Sequence, residues 1–517
     1  MACKRVTQLG ARCTVEAIVY ARLDRGGPAS AILAHDRCAL VRASSGWDAA
    51  SLKGNAPMLP LGSVPFVTTG AYPTRGGNRI QPWIDGLPAF RRICAAIDAA
   101  QESVWATVTF MWPSFQMPDG RGTALDVLEH VARHGIDVRV IFWRPDDTTA
   151  SLRHNAFWGS VNHFNALSHR YPHLSLRWDR AHPGYCQHQK VWLMDADRAT
   201  ATSFVGGINL NPHSLVAPGH NGEGHNHDVY VELAGPAVAD VHHNFVQRWN
   251  EASERTCDDG RWGSESGADL AFPDQTPPEC GTAYVQIQRT THPGRYSNAC
   301  PTPGGGAFDI TSGEQTNRDQ YCAAIKSARR SIYMENQYLE VPEIVDALAD
   351  ALERGVLVVL LLPAVPEIAA PTAVRLERLS FLKARANLAS SENFTLCGIA
   401  GLGADGCRKP VHVHSKLILI DDEWASVGSC NLHHHSLFGN GELNVAFHDP
   451  VTVRAMRVEL FGEHLAVDTT AMDDTEALLL FRQVARGNRQ RHERLDPNWQ
   501  GLAFSLDLAT YGQRSQF

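Results

Sequence analysis

The sequence predicts an α/β chain of two tandem, pseudo-symmetric α/β/α halves with one site at their interface. Three observations carry that prediction. The stretch HQKVWLMDADRATATSFVGGIN, His188 to Asn209, is answered by HSKLILIDDEWASVGSCN, His414 to Asn431, and the His-to-Lys and His-to-Asp spacings are the same in both. The upstream segments repeat at a similar offset: AFRRICAAIDAAQESVWATVTF from Ala89 and DQYCAAIKSARRSIYMENQYL from Asp319 each read as an amphipathic helix followed by a β-rich run. Each half then carries a short apolar run, DVRVIFW from Asp137 and VLVVLLL from Val356, of the kind buried in a sheet covered on both faces.

In chain order, residues 1–75 have no counterpart downstream and read as an accessory segment. The first half, 76–256, opens with a helix on which Phe90, Ile93, Cys94 and Ile97 recur at i, i+3, i+4 and i+7. A strand over Val104–Phe110 and a helix over Thr123–His134 follow. Gly135 ends that helix, because glycine readily takes the left-handed conformation that closes one. The strand from Asp137 and the His-x-Lys strand complete the half. The second half, 313–470, repeats the order: Tyr321, Cys322 and Ile325 on one helix face, a strand over Ser331–Leu339, a helix over Glu343–Arg354 ended by Gly355, and the strand from Val356. Residues 257–312, rich in Gly, Pro, Ser and Asp and carrying PTPGGG (Pro301–Gly306), read as a linker. The tail, 471–517, holds TEALLLFRQVARGNRQRHERL, a helix whose arginine-rich end suits a solvated face or anionic lipid headgroups.

Bulk composition narrows the partners. The chain has 517 residues, 44% hydrophobic and 20% charged, with a formal net charge of -8. A nucleic-acid partner is disfavoured, since polyanion binders are usually basic overall or carry a marked basic patch. No apolar run reaches the length of a membrane-spanning helix, and the N-terminus has no ordinary signal peptide. A cytoplasmic or peripheral-membrane location is expected, export by another route being compatible, and so is a monomer. The twelve cysteines form no C-x-x-C pair and read as free thiols, several in the core; Cys257, Cys280 and Cys300 are placed to form disulfides only in an exported protein.

The motif chemistry follows from its spacing. Residues i and i+2 of a strand share a face, so His188 and Lys190 point one way, as do His414 and Lys416. Asp195 and Asp421 lie an odd number of residues on and open turn-like clusters, so they are expected to buttress the motif without touching a ligand. Each return strand ends in small residues and an Asn: Gly207 and Asn209 in one copy, Ser429 and Asn431 in the other. Small residues let backbone approach a ligand closely. Lysine supplies charge, and the Asn amide a donor, for a phosphoryl oxygen. Two imidazoles, two ammonium groups and two amides around one anion require no metal and no cofactor, because the lysines supply the positive charge. The histidine-rich runs LHHHSLF (Leu432–Phe438), GHNH (Gly224–His227) and VHH (Val241–His243) raise a metal-binding protein as another class, but their spacing fits no structural zinc set. His433–His435 read instead as pocket lining.

From Gly76 to Asp468 the chain resembles the phospholipase D superfamily, whose signature is a duplicated H-x-K-x4-D-x6-G-[GS]-x-N. IYMENQYL (Ile332–Leu339), VQIQRT (Val285–Thr290), RVELFGEHL (Arg457–Leu465) and HDVYVELAGPAVADVHHNFVQRWN (His227–Asn250) resemble its phospholipid-cleaving branch. The resemblance implies a two-step reaction. His188 attacks phosphorus to form a phosphohistidine, His414 serves as general acid and base, and Lys190, Lys416, Asn209 and Asn431 hold the non-bridging oxygens. It also implies a carboxylate downstream of each motif to orient an imidazole, which Asp228 and Glu442 match. A metal-independent phospholipase D with a phospholipid substrate at a membrane surface, with transphosphatidylation as a second outcome of the same chemistry, is the first expectation. A phosphatidyltransferase such as a cardiolipin synthase, or a metal-independent nuclease, is the alternative. MWPSFQM (Met111–Met117) and HNAFWGSVNHF (His154–Phe164) are the aromatic loops that lie at a lipid interface or at a core edge.

Overall fold

A computed structural model describes residues 64–145, 161–222, 225–252, 269–365, 385, 387–511 and 517. Its first sheet is formed by β1 (Arg75–Ile84), β2 (Ser103–Val108), β3 (Asp137–Trp143), β4 (Ser175–Asp179), β5 (Lys190–Met194), β6 (Thr202–Gly206) and, after the two-residue β7 (Asn226–His227), β8 (Val229–Ala234). Its second sheet contains β9 (Ala283–Thr291), the short β10 (Glu314–Gln315), β11 (Ser331–Glu335), β12 (Leu357–Leu361), β13 (Phe394–Leu402), β14 (Arg408–Val413), β15 (Leu417–Ile420), β16 (Trp424–Gly428), β17 (Glu442–His448) and β18 (Ala503–Ser505).

The pairings make the duplication explicit. The first sheet runs β4-β3-β2-β5-β6-β8-β1 and the second β13-β12-β11-β15-β16-β17-β9. In each, the three strands at one end are parallel and the remaining ladders antiparallel. The helices on the outer faces also correspond: α1 (Gly86–Ala99) and α2 (Ala124–Ala132) match α5 (Thr316–Ser327) and α6 (Pro342–Glu353), with α3 (Val161–Arg170) and α4 (Val238–Asn250) lying between. Gly135 and Gly355 both hold positive φ, 94° and 86°, within three residues of the ends of α2 and α6.

Three apolar clusters set the layers. One joins α1 and α2 to the outer face of the first sheet, through residues such as Phe90, Ile93, Leu128 and Val140. A second joins α5 and α6 to the second sheet through Ile325, Leu348 and Leu360. The third lies between the sheets and draws Leu193, Val205 and Val231 from one half and Leu419, Val427 and Val445 from the other. A shared core of this kind fixes the two halves against each other.

Several expected boundaries move. Both β-rich runs are shorter than read: β2 stops at Val108 and β11 at Glu335, after which Asn336 turns the chain by accepting the Tyr338 and Leu432 backbone N–H groups. The span 257–312 is not merely a linker. It contains β9, which pairs with β17 along its length and with β1 at Arg75 and Asn78. Within 471–517, a helix over Asp474–Glu493 packs Leu478 and Phe481 into the central core, and β18 pairs with β13. The motif copies also differ in one spacing: ten residues separate Asp195 from Gly206, against six between Asp421 and Gly428, so the first hairpin carries four extra residues in its turn. The strand register is unchanged by them: Lys190 pairs with Gly206, and Leu417 pairs with Val427, which leaves Gly428 bonded to Lys416.

Candidate active site

The two histidines do not lie in the ladders. His188 sits between a parallel bridge, Gln187 to Gly441, and the start of β5; His414 sits between β14, which pairs in parallel with β7, and the start of β15. In both places the chain leaves pairing with the opposite half and enters its own sheet. The His188 N–H donates to the Gly441 carbonyl at 2.7 Å, and the His414 N–H to the His227 carbonyl at 2.8 Å. Each motif is therefore seated on backbone contributed by the other half.

The carboxylates cross in the same way. His188 Nδ1 lies 2.9 Å from Glu442 Oε2, and His414 Nδ1 lies 2.6 Å from Asp228 Oδ2. Sequence order places Asp228 after the first motif and Glu442 after the second; in space each serves the histidine of the other. All four side chains are buried. A carboxylate on Nδ1 fixes the tautomer with its proton on Nδ1 and directs chemistry to Nε2. Glu442 is held further by the hydroxyls of Ser429, at 2.6 Å, and Ser436, and by the Asn440 amide. Burial pushes the Glu442 carboxyl up, but His188, Lys190 and Ser429 outweigh it and hold the group below its ordinary value of 4.5.

Lys190 Nζ donates to the His188 carbonyl at 2.8 Å, and Lys416 Nζ donates to the His414 carbonyl and to Gln337 Oε1. Each ammonium group is thus folded back onto its own histidine. Asn209 and Asn431 are buried, with side-chain oxygens that accept no hydrogen bond. The positions expected to approach a phosphate do other work as well. The Ser429 hydroxyl is given to Glu442. Its counterpart Gly207 leaves room for the other carboxylate, since a Cβ there would stand 2.3 Å from Asp228 Oδ1. Gly207→Ala is accordingly expected to displace Asp228 and lower the turnover rate more than tenfold, an effect on the scale of losing an orienting partner, with little change in thermal midpoint; assays beside melting curves check it.

Asp195 and Asp421 sit at matched turns with φ of 54° and 56°. Asp195 accepts from the N–H groups of Gln101, Glu102 and Ser103, and Asp421 from those of Arg329, Arg330 and Ser331. Each carboxylate ties its hairpin to the start of the strand following the first helix of its half.

Of the histidine run, His433 is half-buried and caps the helix His434–Phe438, its ring accepting the Ser436 N–H; desolvation pushes its imidazole down to about 3. Met111, Phe115 and Met117 are buried, so the first aromatic loop is largely core edge; residues 154–160 of the second lie outside the described residues. Cys280 and Cys300 are exposed free thiols, and Cys257 lies outside the described residues.

Sequence reasoning missed the layer behind His414. Glu335, fully buried, accepts from Ser415 Oγ at 2.5 Å and from Tyr333 Oη at 2.7 Å; its carboxylate also lies 3.0 Å from His227 Nε2 and 3.2 Å from His464 Nε2. The segments IYMENQYL and GHNH marked these positions, but their joint location depends on the pairing of β11 with β15 and of β7 with β14.

The pH response follows from Glu442. Its folded-state value is depressed, so its contribution to stability is present above about pH 4.5 and is lost as the pH falls through the folded value. Urea unfolding of wild type and Glu442→Gln from pH 7 downward is expected to show a constant difference above pH 4.5 and a shrinking one below it.

The chain is similar to several known proteins. Residues 321–463 match the family model described as cardiolipin synthase, PLD-like domain. The chain is 25% identical over 399 residues to the major cardiolipin synthase ClsA of Bacillus subtilis, covering 75% of this chain and 69% of that protein. It is 24% identical over 392 residues to cardiolipin synthase 1 of Staphylococcus epidermidis, covering 74% and 66%. Among solved structures, phosphatidylserine synthase of Haemophilus influenzae is similar with a TM-score of 0.47 and 14% identity, over 80% of this chain and 94% of that one. The chain spans about two thirds of the length of these curated relatives.

Proposed function

Taking the phospholipase D-like domain as premise, we propose that this chain transfers phosphatidyl groups between alcohols through a phosphohistidine. The carrying observation is the pair of crossed histidine–carboxylate contacts, each beside its lysine. In the first step His188 Nε2 attacks phosphorus, the P–O bond to the headgroup breaks, and His414 gives its proton to the departing alkoxide. In the second, His414 takes a proton from the incoming alcohol, whose oxygen attacks phosphorus and breaks the P–N bond. Lys190, Lys416, Asn209 and Asn431 supply the positive charge and donors for the oxygens that gain charge in both transition states. Proton transfer at both steps suits a histidine held in one tautomer.

Hydrolysis uses the same steps with water as acceptor. The relatives named as cardiolipin synthases support an alcohol acceptor, and a second phosphatidylglycerol molecule is the one we propose. Both motifs lie in one chain, so a monomer holds the whole site. Among the described residues no helix is long and apolar enough to cross a membrane, and we propose action on lipid at a membrane surface.

The test offers phosphatidylglycerol vesicles, phosphatidylcholine vesicles with ethanol, and single-stranded DNA to the full chain. Diphosphatidylglycerol and free glycerol from the first, and phosphatidylethanol from the second, are the expected products. Phosphatidate alone would assign hydrolysis, and cleavage of DNA without lipid turnover would overturn the proposal.

A further inference from the structure

Behind the His414–Asp228 pair lies a second cluster, built from four separate parts of the chain. Asp85 precedes α1, His220 lies in the loop before β7, His227 is in β7, and Glu463 comes from the helix Pro450–Leu465. Their side chains are almost wholly buried: Asp85, His220 and His227 have no exposure and Glu463 6%.

His220 Nε2 is the hub of the cluster. It lies 3.3 Å from His227 Nδ1, 3.3 Å from Asp85 Oδ2 and 3.4 Å from Glu463 Oε1. His227 Nδ1 is 3.0 Å from Asp85 Oδ1, and one ligand atom from each residue falls within 4.8 Å of all the others. An imidazole nitrogen carries at most one hydrogen, so His220 Nε2 cannot donate to three acceptors. The three separations are also longer than a good N–H···O bond. They match another geometry. Four ligands at about 2.0–2.1 Å from a tetrahedral zinc ion stand about 3.3–3.4 Å from one another.

The surrounding bonds point the same way. Asp85 Oδ2, the oxygen that faces His220 Nε2, is buried and accepts no hydrogen bond, and Glu463 Oε1 is held toward the cluster by the Gly219 N–H at 2.8 Å. An unpartnered carboxylate oxygen in a dry interior is costly. His227 turns its other nitrogen to Glu335 at 3.0 Å, the carboxylate–histidine arrangement that orients an imidazole ligand toward a metal. Two imidazoles and two carboxylates suit zinc; magnesium and calcium favour oxygen donors in larger coordination shells.

We propose that Asp85, His220, His227 and Glu463 form a structural zinc site that ties the two halves together behind the active site. The tie acts through sequence neighbours. His227 is followed by Asp228, which holds His414, and the His227 carbonyl receives the backbone N–H groups of His414 and Ser415. Glu463 brings the second half into the site. The ion touches no substrate, and its role is to fix the position of Asp228.

Metal content tests this independently of lipid turnover. The full chain, purified without an added histidine tag and dialysed against metal-free buffer, is expected to carry one zinc ion. His220→Gln is expected to lose it, while a variant at the exposed His130, His130→Gln, keeps it. Because His220→Gln could fail to fold, wild type unfolded with chelator and refolded with cobalt supplies a second readout: intense visible bands of tetrahedral cobalt are expected. Wild type that remains metal-free after refolding with zinc, zinc retained in folded His220→Gln, or only the weak bands of octahedral cobalt would each overturn the assignment.

Discussion

Replacing His188 by asparagine is expected to reduce phosphatidyl transfer by roughly 10⁴-fold or more, the scale on which loss of a covalent nucleophile acts. Asparagine preserves a polar group near Glu442 but offers no nitrogen lone pair to phosphorus. The contacts of Glu442 with Ser429, Ser436 and Asn440 remain, so the buried carboxylate keeps three partners and the fold persists. Because both histidines work in one reaction cycle, adding His414→Asn to His188→Asn is expected to cost little beyond the single change; groups that act as a unit are strongly non-additive. Product formation by each variant, measured beside its melting curve, checks this. Activity in His188→Asn within tenfold of wild type would remove His188 from the nucleophile's role.

Asp421→Ala is expected to act in the opposite sense, with a large stability loss and a near-normal rate in the protein that stays folded. The substitution strands three backbone donors, the N–H groups of Arg329, Arg330 and Ser331, now held at 2.9, 2.8 and 2.9 Å. It also removes the 3.4 Å contact with the Arg329 guanidinium. Hydrogen bonds to a charged group are worth about 1.5–3 kcal/mol each and are not additive here, so a total near 3 kcal/mol is expected. Urea unfolding measures the loss, and kcat normalised to folded protein measures the rest. A kcat that collapses while stability holds would make Asp421 part of the chemistry.

Much of this architecture was legible because duplication makes a sequence testable against itself. The matched spacing of His188, Lys190 and Asp195 with His414, Lys416 and Asp421, and the glycines after α2 and α6, located equivalent elements in two places at once. Local patterns could not show how the halves exchange parts. Asp228 follows the first motif in sequence yet bonds His414, because β7 pairs with β14 across the interface. A strand run also cannot be told from an extended crossover by periodicity alone, which is why His188 and His414 read as ladder residues. Glu335 and His227 were visible as residues but not as partners; their contact requires three-dimensional neighbours 108 positions apart in sequence. β9 was hidden by its Gly- and Pro-rich surroundings, although VQIQRT fell within it.

The exchange of carboxylates has a consequence for inheritance. After an ancestral gene doubled, a defect in either copy would silence the histidine of its sibling, so neither copy could decay in private. Two separately expressed fragments, one per half, would each hold an imidazole without its partner acid, and they would regain chemistry only by reassembling.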